Sequence, residues 1–379
     1  IRKALKDSGH PDIPVISLTA ASGLDEKNPG FNIFKQPDVL IKAVNALLYG
    51  DLIMQLLYRV RPYEAEAGAA DALYDRMMAE AKGTIVAGGR KRFYDLCQRT
   101  VDAFEALPLV NDRSKPRVGV VGEILVKFHP TANNQVVKVI EQEGCEANVP
   151  GLVDFFLFGM TNAINTNAEL GTKATSRLSH MAGIKLIEGM REPINRMLEK
   201  TTRFQAYPDI FELASKAEQV LSLCNTMGEG WLLTAEMCDL IETGTPNIVC
   251  CSPFACLPNH VVGKSVIKRL RQMHPESNIV AVDYDPGASE VNQLNRIKLM
   301  ISVAKENYRT NREGGFHLEN PADPVTNDAV APYTGSHRFE DSVSRGDGSA
   351  CGVHGGAGIQ LTPEQLAQIE EAKRRAGVK

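Results

Sequence analysis

The stretch NIVCCSPFACLPNHVVGKSVIKRLRQMHPESNIVAVDY, residues 247–284, decides the fold class. Its two ends, Asn247–Cys251 and Asn278–Tyr284, are short runs rich in Ile and Val, a composition typical of strands buried on both faces. Between them, Asn259–Met273 carries apolar residues three and four positions apart, which predicts a helix. A strand, a helix and a second strand in this order predict a βαβ unit of a parallel sheet.

The same alternation continues on both sides of this unit. Arg117–Val121 is another apolar strand, and 155–198 is mostly helical, so we predict a helical insertion at about residues 152–206. The chain from 113 to 312 is therefore expected to form a Rossmann-like, doubly wound parallel α/β sheet. The further predicted elements are a strand near Glu146–Val149 and helices at Asn134–Gln142, Ile210–Leu223, Trp231–Glu242 and Ala288–Glu306.

The two flanks differ from this central region. Residues 1–112 combine a predicted strand at Ile13–Leu18 with long helical stretches, so we expect the remainder of a second α/β domain. Because the chain opens in the middle of an amphipathic helix, it is expected to be a fragment. Residues 313–379 are rich in Gly, Asp, Ser and Pro, which predicts a flexible tail, with a short terminal helix beginning at Thr362.

Composition excludes several classes of function. A net charge of −4 and a pI near 6.1 disfavour binding to nucleic acid or to an acidic membrane surface. Eight cysteines in 379 residues are too sparse for a disulfide scaffold, so a reducing, cytoplasmic location is expected. The longest apolar run, residues 39–60, is interrupted by Lys42, Asp51 and Gln55, which predicts a buried helix rather than a membrane span.

The candidate chemistry lies where ligands bind in such sheets, beyond the carboxyl ends of the strands. Cys256 follows one strand and precedes a helix whose predicted N-cap is Asn259. A helix start favours the thiolate, the form required of a nucleophile or an iron–sulfur ligand. A buried structural cysteine is the alternative. Cys251 is either a second ligand or part of the core.

Three other positions carry two interpretations each. His260 is an acid, a base or a ligand, or else a hydrogen-bonded histidine at a helix start. Glu123, at the end of a strand, is a base or a merely hydrogen-bonded carboxylate. Gly228-Glu229-Gly230-Trp231 is either a binding loop that brings its backbone close to a ligand or a helix start with the tryptophan packed on the sheet.

These same segments resemble one family. The motifs VGVVGE (118–123), FHP with ANN (128–134), GEGWLL (228–233), SPFACLPNH (252–260) and DYDPGASEVNQLNR (283–296) are similar to those of the large acyl-CoA dehydratase activase-related proteins. Those proteins fuse a BadF/BadG-type ATPase to a region similar to 2-hydroxyacyl-CoA dehydratase subunits. The resemblance covers roughly residues 1–310 and places this chain in the dehydratase-like part.

The resemblance implies an oxygen-sensitive iron–sulfur redox component, with a 4Fe–4S or double-cubane cluster held between Rossmann-like domains. An ATP-hydrolysing activase would supply a low-potential electron, and the substrate would be an acyl-CoA or another small molecule. Cys256 becomes the best candidate ligand, with Cys251 as the second. Residues 228–231 and Asn259 would line the cluster pocket, and Glu123 and His260 would be the catalytic candidates.

The family's chain continues upstream into a cysteine-bearing segment and the ATPase half, both absent here, so the cluster is expected to be incomplete in this fragment. The resemblance also implies a homodimer. Two alternatives stay open: a non-catalytic regulatory or electron-relay module that docks the activase, and a metal-free small-molecule-binding protein.

Overall fold

The computed structural model describes residues 1–13, 15, 36–170, 174–285, 287 and 289–313. Most of the predicted strand at 13–18 and the whole tail from 314 onward, with the predicted Thr362 helix, lie outside the described residues. In chain order the helices are α1 (Arg2–Asp7), α2 (Pro37–Val60), α3 (Ala69–Ala87), α4 (Arg90–Glu105), α5 (Ile124–Phe128), α6 (Val136–Gln142), α7 (Val153–Leu170), α8 (Ala174–Leu198), α9 (Ile210–Glu218), α10 (Gly230–Glu242), α11 (Leu257–Asn259), α12 (Ile267–Met273) and α13 (Glu290–Glu313).

The described strands form one parallel sheet, which confirms the predicted α/β class. They are β1 (Arg117–Gly122), β2 (Glu146–Asn148), β3 (Asn247–Pro253) and β4 (Asn278–Tyr284), in the spatial order β2-β1-β3-β4. The chain thus leaves β1 toward one side for β2 and returns to its other side for β3. The carboxyl ends of β1 and β3 are therefore neighbours at the point where the strand order reverses.

Helices cover both faces of the sheet because side chains alternate along each strand. On one face, Val249, Cys251 and Val282 pack with residues of α6 and α13. On the other face, Ile248 and Cys250 pack with residues of α10 and α12. Both cysteines of the Cys250-Cys251 pair are therefore core residues in this structure.

A second core is entirely helical. It joins α2, α3 and α4 to α7, α8 and α9, so the helices predicted as an insertion pack on those of residues 37–105. The described residues 37–105 contain helices and no named strand. The predicted domain boundaries stay a prediction, since this arrangement does not test them.

Helix α2 lies at the centre of that core. Residues Pro37–Tyr63 are long and apolar enough to cross a membrane by length and composition, one such helix among the described residues. Its side chains Leu52 and Leu56 are fully buried against neighbouring helices. This packing agrees with the buried helix predicted from the sequence.

Asp51 of α2 fixes the start of α7. Its two carboxylate oxygens accept hydrogen bonds from the backbone N–H groups of Leu152 and Val153, each at 2.8 Å. Burial raises the pKa of Asp51 to about 6, even though these two hydrogen bonds act to lower it. The buried carboxylate has a structural role, because it accepts hydrogen bonds from N–H groups at the start of α7 that have no partner within the helix.

The raised pKa of Asp51 predicts a pH-dependent stability. In the unfolded chain an aspartate has a pKa near 4, so between about pH 4 and pH 6 the folded state binds more protons. This contribution to stability is present below pH 4 and is lost as the pH rises through 6, by about 2–3 kcal/mol. In Asp51→Asn this part of the pH dependence should vanish when unfolding by urea is measured at pH 4, 5 and 6. An unchanged slope would contradict the assignment.

Candidate functional site

The backbones of β1 and β3 approach each other closely at Gly122. This residue pairs with Cys251 across the sheet and has φ 142°. A Cβ atom at position 122 would lie 1.8 Å from the carbonyl oxygen of Cys251. That same oxygen accepts a hydrogen bond from the backbone N–H of Glu123 at 3.0 Å. A glycine is therefore required for this close approach of the two strands at the edge of the candidate site.

Glu123 caps the short helix that follows. Its Oε2 accepts a hydrogen bond from the backbone N–H of Val126 at 3.0 Å, so it is the N-cap of α5. The capping contact occupies one carboxylate oxygen. The prediction that Glu123 acts as a base stays a prediction.

Cys256 is half-buried at the end of the loop that leaves β3. The loop turns at Ala255, a non-glycine residue with φ 58°, and closes with a hydrogen bond from the N–H of Cys256 to the carbonyl of Pro253 at 3.1 Å. Among the described cysteines only Cys256 and Cys224 escape full burial. Cys256 is thus the one partly accessible thiol of this strand-end loop.

The helix after this loop begins earlier than the sequence predicted. Cys256, not Asn259, is the N-cap, and α11 runs into a π-helical turn at His260–Lys264 before α12. The reason is Pro258, whose ring suits the first turn of a helix and so lets the helix start at Leu257. Asn259 is thereby turned inward and is fully buried.

The buried amide of Asn259 connects the thiol to a carboxylate. Its Nδ2 donates to the Sγ of Cys256 at 3.1 Å and to the Oε2 of Glu229 at 2.9 Å. The other oxygen of Glu229 accepts from the backbone N–H of Ile124 at 3.2 Å. Burial raises the pKa of Glu229 above its usual range, although the hydrogen bonds it accepts act in the opposite direction. Of the predicted site residues, the structure brings Cys256, Asn259 and Glu229 together.

The glycines around Glu229 allow the two loops to touch. A Cβ at Gly228 would lie 2.9 Å from the Cβ of Pro258. Gly230 opens α10 and lies against Phe158 of the helical core. The loop of residues 228–230 is therefore pressed against the loop that carries Cys256.

Trp231 lies away from this loop surface. Its side chain is fully buried, its ring makes an edge contact with Phe158 at 5.1 Å between centroids, and its Nε1–H donates to the Oδ1 of Asn162 at 2.8 Å. The tryptophan therefore packs in the helical core rather than facing the thiol. Of its two predicted interpretations, the geometry favours the helix start, although Trp231 packs in the helical core and not on the sheet as predicted.

His260 is exposed and already bonded on both ring nitrogens. Its Nδ1 lies 2.7 Å from the carbonyl oxygen of Cys256 and its Nε2 lies 3.2 Å from the Nζ of Lys264. Since a carbonyl oxygen only accepts, Nδ1 carries the proton and Nε2 accepts from Lys264. Lys264 in turn forms an ion pair with Asp283 at 2.5 Å. His260 thus belongs to a surface network at the ends of β3 and β4.

Cys251 has quite different surroundings from Cys256. It is fully buried in the core of the sheet, where its Sγ lies 3.9 Å from the hydroxyl of Tyr284. Burial raises the pKa of its thiol to about 12, so the neutral thiol is the stable form there. The structure does not bring Cys251 into the loop that carries Cys256.

Sequence reasoning missed a buried ion pair between α5 and α10. The Nζ of Lys127 donates to the Oε1 of Glu236 at 2.7 Å, and burial raises the pKa of Glu236 to about 7. Both residues line a narrow crevice that also touches Gly122 and Glu229. The available signal was the spacing of seven between Glu229, the N-cap of α10, and Glu236, which places both on one face of that helix.

An apolar rim flanks the loop of Cys256. Four large hydrophobic side chains on neighbouring loop ends are exposed by more than half. They are Leu125 at 59 %, Met227 at 77 %, Phe254 at 68 % and Leu257 at 73 %. We call these four residues the apolar rim. Clustered exposed apolar side chains are typical of surfaces that another protein or a ligand covers.

The predicted iron–sulfur ligands, Cys256 and Cys251, do not make a complete set. A cubane iron–sulfur cluster is held by four cysteine thiolates. Within the described ranges, no group of three or more His, Cys, Asp or Glu side chains is close enough to hold a metal ion. The roles of Cys256 and Cys251 as cluster ligands stay a prediction.

Comparison of the chain with models of known families, with curated proteins and with solved structures finds no match.

Proposed function

We propose that this chain supplies the Cys256 ligand of an iron–sulfur cluster, in a redox component that accepts a low-potential electron from an ATP-hydrolysing activase. The observation that carries the proposal is the position of Cys256. It is a half-buried thiol, held by a buried amide, at the point where the strand order reverses. That edge is where open α/β sheets bind their ligands. The sheet would then be the core of a Rossmann-like, doubly wound domain.

The resemblance to the dehydratase-like proteins supports the remainder of the proposal. From it alone come the acyl-CoA or other small-molecule substrate, the cytoplasmic and anaerobic setting and a homodimer. The apolar rim supports a protein partner, because it flanks the loop that carries the proposed ligand. When bound, the cluster would supply one-electron chemistry. The chain's own residues would fix the sulfur and keep its inner side out of water.

The rival function is a metal-free module that docks a partner or binds a small molecule. The apolar rim beside Cys256 is the observation that favours it. Binding of acyl-CoA thioesters separates the substrate-binding role from pure docking, because a docking or relay module would bind none.

Cysteine replacement tests the proposed ligand. In anaerobically purified protein that includes the upstream cysteine-bearing segment expected from the resemblance, Cys256→Ser should weaken the retention of iron and acid-labile sulfide at least about tenfold, because one thiolate ligand is lost. The matched control is Cys224→Ser, which removes an exposed thiol and should leave the iron content unchanged. Equal iron and sulfide in both variants would overturn the assignment. A folded wild-type protein that never contains iron would establish the metal-free alternative.

A further inference from the structure

Asn259 presents an asymmetric hydrogen-bond pattern. It is fully buried, and its Nδ2 has two acceptors, the Sγ of Cys256 and the Oε2 of Glu229. Its Oδ1 is buried with no partner among the described residues. A buried polar atom without a partner is unfavourable. Some contact must therefore hold the amide in this orientation.

Glu229 is that contact. Rotating the amide by half a turn would place Oδ1 against the carboxylate, where two acceptors repel each other. The carboxylate is itself fixed, because its Oε1 accepts the N–H of Ile124 at 3.2 Å and Gly228 presses against Pro258. It also lies at the N-cap position of α10, where the helix dipole favours a negative charge. Each carboxylate oxygen of Glu229 thus accepts one hydrogen bond, Oε1 from Ile124 and Oε2 from Asn259, as an ionised carboxylate can.

We infer that Glu229 and Asn259 form a positioning pair that directs an N–H donor at the Cys256 sulfur, so that this sulfur is hydrogen-bonded when it reacts or binds a metal. The inference deepens the proposed function, since this sulfur is the proposed cluster ligand. It nevertheless concerns the metal-free thiol as well. Neither residue needs to touch a substrate, so both act through the cysteine.

Site-resolved alkylation of the metal-free full chain tests the pair. Iodoacetamide is added at one pH, and the modification of Cys256 is followed by mass spectrometry with the exposed Cys224 as internal reference. In Asn259→Leu, Cys256 should react about tenfold more slowly, because the hydrogen-bond donor to the reacting sulfur is lost. The rate at Cys224 should not change. Asn259→Asp removes the donor without changing the size of the side chain and should slow Cys256 as well.

Glu229→Gln separates positioning from simple electrostatics. The amide that this substitution introduces has one oxygen for two donors. If that oxygen accepts the N–H of Ile124, the new NH₂ group faces Asn259 and donates to its Oδ1. The Asn259 amide is then rotated so that Nδ2 no longer points at the sulfur of Cys256. The positioning pair therefore predicts slower alkylation, by about threefold or more. A purely through-space effect predicts the opposite, because removing a nearby negative charge favours the thiolate.

The control for this test is Glu192→Gln, which removes an exposed carboxylate of α8 that pairs with Arg196 and should not slow the reaction. Slower alkylation in the Asn259 variants and in Glu229→Gln supports the pair. An unchanged rate in the Asn259 variants, or an unchanged or faster rate in Glu229→Gln, overturns it. Since alkylation needs no iron, this outcome is independent of the iron content that decides the proposed function.

Discussion

Gly122→Ala is expected to destabilise the chain by at least about 4 kcal/mol, which for a domain of ordinary stability approaches unfolding. An alanine at φ 142° is strained by about 1–3 kcal/mol. In addition, its Cβ would lie 1.8 Å from the carbonyl oxygen of Cys251, so β1 and β3 would have to separate at the site. Urea-induced unfolding followed by circular dichroism measures the loss.

The matched control is Gly159→Ala. Gly159 lies in α7, and a Cβ there would meet nothing within 4 Å. Alanine favours a helix over glycine by about 1 kcal/mol, so this variant should be neutral or slightly more stable. If Gly122→Ala were as stable as Gly159→Ala, the close approach of β1 and β3 described here would be wrong.

Arg191→Leu is expected to cost about 3–5 kcal/mol. Arg191 is 2 % exposed and its guanidinium binds Asp154 at 2.5 Å, Glu188 at 2.7 Å and the carbonyl of Pro208 at 2.7 Å. Removing it leaves the carboxylate of Asp154 buried without its counter-charge. The free energy of unfolding in urea is again the measurement.

Arg196→Leu serves as the control on the same helix. Arg196 pairs with Glu192, and both side chains are more than half exposed. An exposed pair of this kind contributes little, so the change should stay within about 0.5 kcal/mol. Equal losses at positions 191 and 196 would contradict a buried charge network between α7 and α8.

The sheet could be predicted because strands buried on both faces appear in the sequence as short, nearly continuous apolar runs. Residues 117–121, 247–251 and 278–284 are apolar runs that end at polar or proline residues, and each became a strand with nearly those bounds. The long helix α2 was likewise predicted as a buried helix from the apolar run at residues 39–60. The local sequence pattern is sufficient to predict a helix or strand when the same faces are buried along the whole element.

The details of the site depended on contacts distant in sequence. The pattern around Cys256 did not reveal that Pro258 starts the helix early and turns Asn259 inward toward Glu229, thirty residues upstream. Trp231 was ambiguous because its partners, Phe158 and Asn162, belong to another helix. The burial of Cys251 follows from strand alternation, but its separation from Cys256 required the path of the loop at Ala255.

Electron paramagnetic resonance of the reduced, anaerobically purified protein tests the central claim most directly. If the sulfur of Cys256 is a cluster ligand, the wild-type protein with the upstream cysteine-bearing segment expected from the resemblance should give an iron–sulfur signal that is lost or shifted in Cys256→Ser, because oxygen replaces sulfur on one iron. Cys224→Ser should give the wild-type spectrum. An iron–sulfur signal identical in wild type and Cys256→Ser would contradict the account.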